Sequence, residues 1–130
     1  MKIDNILLDK LTAQAKESPR LRMNLDLRNS DADSSQRMLN AIEPGSVVPI
    51  HRHQKTSETV VVLRGRVVEE YYSSEGVVVA TYDLAAGGPT CALNIPAGQW
   101  HTLRALDPGT VILEMKDGPY EPIQECDILK

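Results

Sequence analysis

From residue 36 onward the chain is a succession of short runs of Val, Ile, Leu, Thr and Tyr, each cut off by a breaker such as Pro44-Gly45 or Gly87-Gly88-Pro89. Runs of this length and composition form strands, and the residues between them form turns. The pattern predicts strands over 38–42, 47–50, 59–64, 66–72, 77–84, 91–95, 102–106 and 110–115, with Ser73, Ser74, Glu75 and Gly76 closing a hairpin. A parallel sheet needs crossover helices between its strands, and no helical pattern interrupts this region. The reading that remains is a mainly β fold, a single jelly-roll barrel.

Ahead of it, Ile3, Ile6, Leu7 and Leu11 recur at spacings of three and four among Asp, Lys and Gln, the stripe of an amphipathic helix over residues 3–17. Ser18-Pro19 should end that helix, because the residue before a proline is pushed out of helical geometry. At 130 residues one domain is expected. Residues 1–35 supply a helix and an extended segment that pack on the barrel, or on a partner subunit, and residues 36–130 make the barrel. Asn29 to Ser35 is a polar loop too short to separate domains.

Bulk properties exclude several partners. A hydrophobic fraction of 42% and a charged fraction of 25% are ordinary for soluble proteins. No run approaches the roughly 20 apolar residues of a membrane span. Asp4 and Asp9 interrupt the apolar N-terminus, which lacks a signal-peptide cleavage pattern, so a cytoplasmic location is expected. A net charge of -4 argues against nucleic acid. Cys91 and Cys126 read as free thiols, Cys91 as a buried one beginning a strand.

Chemistry concentrates in the histidines, of which there are only three. Two form His51-x-His53 and the third is His101, after the tight corner Pro96-x-Gly98. On extended backbone, residues two apart share a face, so His51 and His53 can reach one ion while Arg52 points away. Glu58, at the start of the next apolar run, can fold its carboxylate back toward the pair. A barrel can bring His101 opposite them. Three imidazoles and a carboxylate suit one divalent transition-metal ion, Fe, Mn, Ni, Co, Cu or Zn, and leave coordination positions open.

The stretch GSVVPIHRHQKTSETVVVLRG, Gly45 to Gly65, resembles the first cupin motif at every anchored position: glycine, five residues, His-x-His, four residues, glutamate, six residues, glycine. IPAGQWH supplies the Pro96-x-Gly98-x-x-His101 centre of the second motif, while Thr90 and Ala105 stand where the superfamily usually shows glycine and asparagine. More closely, the chain resembles the WbuC-type cupin-fold metalloproteins of bacterial surface-polysaccharide gene clusters. That likeness runs through SPRLRMN (18–24), QRMLNAIEPG (36–45), both cupin motifs and EMKDGPYEP (114–122). It implies a conical β-barrel and a bound metal, and it implies no particular reaction.

Other residues are candidates of lower rank. Arg20, Arg22 and Asn24, at period two on a possible extra strand, form a row suited to a phosphate or carboxylate. Gln36, Arg37 and Asn40 read as structural hydrogen bonders. Trp100 either walls the pocket or packs. The tyrosines mostly cover the sheet, and Glu114 and Lys116, alternating on the last strand, suggest a structural ion pair.

Two functions compete. One is a metal-dependent enzyme acting on a small polar molecule such as a sugar, sugar phosphate or nucleotide sugar, by isomerisation or epimerisation, or by oxygen chemistry if the ion is iron. The other is a non-catalytic binding or sensing module. The enzyme is favoured because no DNA-binding helix-turn-helix accompanies the barrel, and a purely structural site would favour cysteines. An edge strand near residues 22–28 predicts a homodimer.

Overall fold

The computed structural model describes residues 1–130. Helix α1 (Asn5–Glu17) precedes eight strands: β1 (Arg22–Asp26), β2 (Ser35–Ile42), β3 (Glu58–Arg64), β4 (Arg66–Tyr72), β5 (Val78–Ala85), β6 (Ala92–Ile95), β7 (Trp100–Ala105) and β8 (Thr110–Asp117). The strands pair antiparallel in two sheets, β1-β2-β8-β3-β6 and β5-β4-β7. The expected mainly β jelly roll with one N-terminal helix is the fold observed.

The inner faces of the sheets meet in one core. Ile42, Val60, Val62, Ile95 and Ile112 of the larger sheet pack with Val67, Tyr71, Leu84, Leu103 and Ala105 of the smaller. Outside the larger sheet, Leu8, Leu11 and Ala15 of α1 seal Leu39, Ala41 and Val111. The helix starts where Asp4 Oδ1 accepts from the Leu7 backbone N–H at 3.1 Å, an N-cap. Its buried face is Leu8, Leu11, Thr12 and Ala15, while Ile3 and Ile6 are exposed. The stripe expected from Ile3, Ile6, Leu7 and Leu11 is therefore rotated. The outer surface of the sheet takes in the small Ala15 and the hydroxyl of Thr12, which accepts from Arg64 Nη2 at 3.0 Å.

Seven of the eight expected strands form, with ends shifted by a few residues, and the extra segment at Arg22 becomes β1. Residues 47–50 do not form a strand. Pro49 has no N–H to give a ladder, and the Val48 carbonyl is taken by the Thr102 hydroxyl at 2.6 Å. Regular pairing there shrinks to single bridges from His51 to His101 and to Ile128. Cys91 is exposed rather than buried, since it lies just before β6 with its side chain outward and only its carbonyl engaged, by Val62 N–H at 2.9 Å. Both cysteines are free.

One feature had no counterpart in the sequence pattern. After β8 the chain turns at Gly118 and runs back as a strap across one end of the barrel. At its near end Gln36 Nε2 donates to the Gly118 and Pro119 carbonyls at 2.9 and 3.1 Å. At its far end Arg52 N–H donates to the Asp127 carbonyl at 3.0 Å and Leu129 N–H to Ile50 at 2.8 Å. The Asp127 carboxylate accepts from Arg52 Nε at 3.0 Å and Gln54 Nε2 at 2.6 Å.

Candidate metal centre

The three histidines, from two distant stretches, converge at the strapped end of the barrel. Backbone bonds hold them in register: His51 N–H donates to the His101 carbonyl at 3.0 Å, and His101 N–H returns to His51 at 2.8 Å. Gly98, at φ 83°, turns the corner before β7 and donates its N–H to the His53 carbonyl at 2.7 Å. The corner read as Pro96-x-Gly98 thus stitches the two motifs together. One ligand-capable atom from each of His51, His53 and His101 lies within 4.8 Å of the others. Glu58 opens β3 beside them, its Oε2 2.9 Å from His53 Nε2.

The donor set fits a metal. His51 Nδ1 lies 2.8 Å from the Pro49 carbonyl and His101 Nδ1 2.8 Å from the Gln99 carbonyl. A carbonyl only accepts, so both Nδ1 atoms carry the proton and both Nε2 atoms present lone pairs, the usual second-layer arrangement of ligating histidines. His101 Nε2 is buried with no partner at all, a cost that a Lewis acid would remove. Glu58 stands outside that triad but touches it through the 2.9 Å hydrogen-bonding contact with His53 Nε2, which keeps a carboxylate beside the imidazoles.

Electrostatics favour the same protonation states. Burial, and then the nearby His101, pull His51 down to about 4. Burial also lowers His101 against the pull of Glu58. For Glu58 burial pushes upward, but the His53 hydrogen bond and the neighbouring imidazoles outweigh it and keep the carboxylate below its ordinary value. Neutral imidazoles beside an ionised carboxylate are what a divalent ion requires.

The cluster lines a cavity of about 370 Å³ bounded by strands of both sheets and roofed by Ile123 and Ile128 of the strap. Arg20, Arg22 and Asn24 all border it, as their period-two spacing suggested. Arg22 donates only to the Val47 carbonyl, at 3.2 Å. Trp100 does not border the cavity; its ring lies under the Arg52 guanidinium, 4.5 Å from the carbon. Gln36 and Arg37 make structural bonds, Arg37 to Asp33 and the Ser35 carbonyl. Glu114 and Lys116 do share a face, but it is the cavity face and they form no ion pair with neighbours. Instead Lys116 Nζ reaches His53 Nδ1 at 3.2 Å.

Two acidic residues of this cavity escaped the sequence reading as functional candidates. Glu69 on β4 is fully buried with neither carboxylate oxygen partnered, and burial pushes it up to about 9. Burial and the Glu58 charge raise Glu114 to about 8. The available signal was the two-residue alternation of Val67, Glu69 and Tyr71, which puts Glu69 on the core face. A second cavity of about 260 Å³ shares Glu58, Glu114 and Lys116 with the first.

Two facing antiparallel sheets with a histidine cluster at one end define a cupin barrel. Solved structures share the fold. The capsular polysaccharide assembling protein CapF from Staphylococcus aureus matches at TM-score 0.62 and 17% identity over 82% of this chain and 33% of its own. KdgF from Halomonas sp. matches at TM-score 0.62 and 15% identity over 81% of this chain and 85% of its own. An oxalate oxidase in complex with glycolate matches at TM-score 0.64 and 15% identity over 84% of this chain and 57% of its own. The chain thus spans a third of CapF and little over half of the oxidase. It belongs to the family described as Domain of unknown function (DUF6016), which matches residues 3–84 and so includes His51, His53 and Glu58. No curated protein matches the sequence. No helix is long and apolar enough to cross a membrane.

Proposed function

We propose that His51, His53, Glu58 and His101 hold one divalent transition-metal ion, and that the protein is a metal-dependent enzyme acting on a small polar molecule. The carrying observation is the convergence of three imidazoles within 4.8 Å, two of them with Nδ1 already committed to carbonyls. An ion bound there supplies Lewis-acid polarisation of a carbonyl or hydroxyl, as isomerases and epimerases use, or oxidative chemistry if it is redox-active. The protein's own groups do the rest. Arg20 and Arg22 orient an anionic group, Glu114 holds an exchangeable proton at the cavity wall, and the strap limits water.

The likeness to WbuC-type cupins and the fold shared with the polysaccharide assembling protein CapF support a sugar or nucleotide sugar of surface-polysaccharide metabolism as substrate. Cytoplasmic location belongs to the same reading. So does a homodimer through the free edge of β1.

Elemental analysis of protein purified with and without oxygen tests the ion. Incubation of the loaded protein with sugar phosphates and nucleotide sugars tests turnover. Consumption that disappears in His101→Ala supports the enzyme. No consumption, alongside ligand-dependent melting shifts, decides for the binding module.

A further inference from the structure

Resting on the reading of this cavity as a substrate site, the structure also says what shape of substrate it takes. Its walls divide into two chemistries. Arg20 and Arg22 stand at one side, where burial and then the neighbouring charge of Arg20 depress Arg22, and no carboxylate forms an ion pair with either. In the adjoining smaller cavity, by contrast, Arg28 is spent on Asp26 through three hydrogen bonds and Arg37 is paired with Asp33. The free guanidiniums, and so the capacity for an anion, belong to the larger cavity.

The other chemistry lies on the inner wall, where Asn40, Glu69 and Glu114 project from β2, β4 and β8. Asn40 Oδ1 and both Glu69 oxygens are buried without a partner. The Asn40 amide lies against the Glu114 carboxyl, which leaves its Oδ1 as the free end. Three unpartnered oxygens in one buried wall are expensive to maintain, and each such group calls for an explanation. A ligand bearing several hydroxyls supplies one, because each hydroxyl both donates and accepts. Burial raises both carboxyls, which makes them protonated partners for hydroxyls rather than anchors for a cation.

Volume sets the last limit. A cavity of about 370 Å³ accommodates a hexose carrying one acidic group, whereas the base and ribose of a nucleotide sugar would extend beyond it.

We propose that the cavity binds a hexose-sized polyhydroxylated anion, its carboxylate or phosphate held by Arg20 and Arg22 and its hydroxyls by Asn40, Glu69 and Glu114.

The test is calorimetric titration of Mn(II)-loaded and chelator-stripped protein with glucuronate, glucose 6-phosphate, glucose, inorganic phosphate and UDP-glucose. At least one of the two sugar anions should bind about tenfold or more tighter than glucose, inorganic phosphate or UDP-glucose; which one binds names the acidic group. Glu114→Leu and Asn40→Leu should each weaken the sugar anion about tenfold and leave inorganic phosphate unaffected. Glu114→Gln, which keeps a donor and an acceptor, should retain binding, and Arg22→Gln should weaken sugar anion and phosphate alike. The proposal is overturned if UDP-glucose binds as tightly as the sugar anions, if phosphate alone matches them, or if both leucine variants bind like wild type. Metal content of the same samples separates the two readings. Protein that holds metal but no sugar anion sinks this inference alone, and protein that holds sugar anion but never metal sinks the metal reading alone.

Discussion

Lys116 Nζ stands 3.2 Å from Nδ1 of His53, where the corresponding atoms of His51 and His101 face carbonyls instead. An ammonium only donates, so Nδ1 of His53 is an acceptor and its proton sits on Nε2, toward Glu58. Ligation through Nε2 requires the opposite tautomer. Lys116 therefore competes with a metal for the state of His53. Lys116→Met should raise metal affinity by about tenfold, the scale on which outer-shell partners act. Competition with a fluorescent chelator checks this, and weaker binding in the variant would refute it.

His101 is the imidazole of the cluster best sealed from water, 2% exposed, and its Nε2 has no partner. His101→Ala should lower metal affinity by at least about 100-fold, as loss of a direct ligand must exceed the loss of an outer-shell group. Elemental analysis after dialysis reads the result. Circular dichroism should show the β-sheet signal retained, because the backbone pairing of residue 101 with residue 51 does not need the ring.

Protonation sets the acid limit of the site. His51 sits at about 4 in the fold against an ordinary 6.5, so the unfolded chain binds the extra proton first as pH falls. The contribution of His51 to stability is thus present above about 6.5 and lost as pH drops toward about 4. Melting temperature of metal-free protein should fall across that window, and His51→Gln should flatten the fall.

Glu69 works in the opposite sense. Its folded value near 9 lies above the ordinary 4.5, so its proton is retained in the fold and lost on unfolding at neutral pH. Its contribution is complete below about 4.5 and disappears as pH rises toward about 9. At pH 7 the resulting cost is on the order of 3 kcal/mol. Glu69→Gln, which cannot ionise, should be the more stable protein at pH 8, with the gap widening from pH 5 upward in urea titrations.

Between β3 and β4 the chain passes Thr110 so closely that a Cβ on Gly65 would fall on the Thr110 hydroxyl and within 2.9 Å of its Cα. Gly65 also has φ 83°, where a side chain is strained. Gly65→Ala should cost about 2 kcal/mol or more in denaturant unfolding.

Much of this was legible in the residues themselves. Val and Ile runs bounded by glycines marked the strands, because period and breakers act locally. The His51-x-His53, Glu58 and His101 grouping could be read because its spacing is particular and the chain has no other histidine. What stayed hidden depends on tertiary context. Pro49 kept residues 47–50 out of a strand and left only the bridges of His51, although their composition is strand-like. Ile6 looked like a core residue until the sheet selected Leu8 and Ala15 as the buried face. Glutamate in a strand ordinarily faces water, so Glu69 and Glu114 lost their meaning until two sheets closed over them. The strap followed no periodicity, since it is held by Asp127 and by backbone bonds to residues 50 and 52.

That strap has a mechanical consequence. Arg52 lies between His51 and His53 and is gripped by Asp127 through its backbone and its guanidinium together. A pull on the last few residues is delivered straight to the loop that carries two of the imidazoles, with no intervening element to absorb it. The tail and the loop of His51 and His53 are therefore one mechanical unit, joined through Arg52.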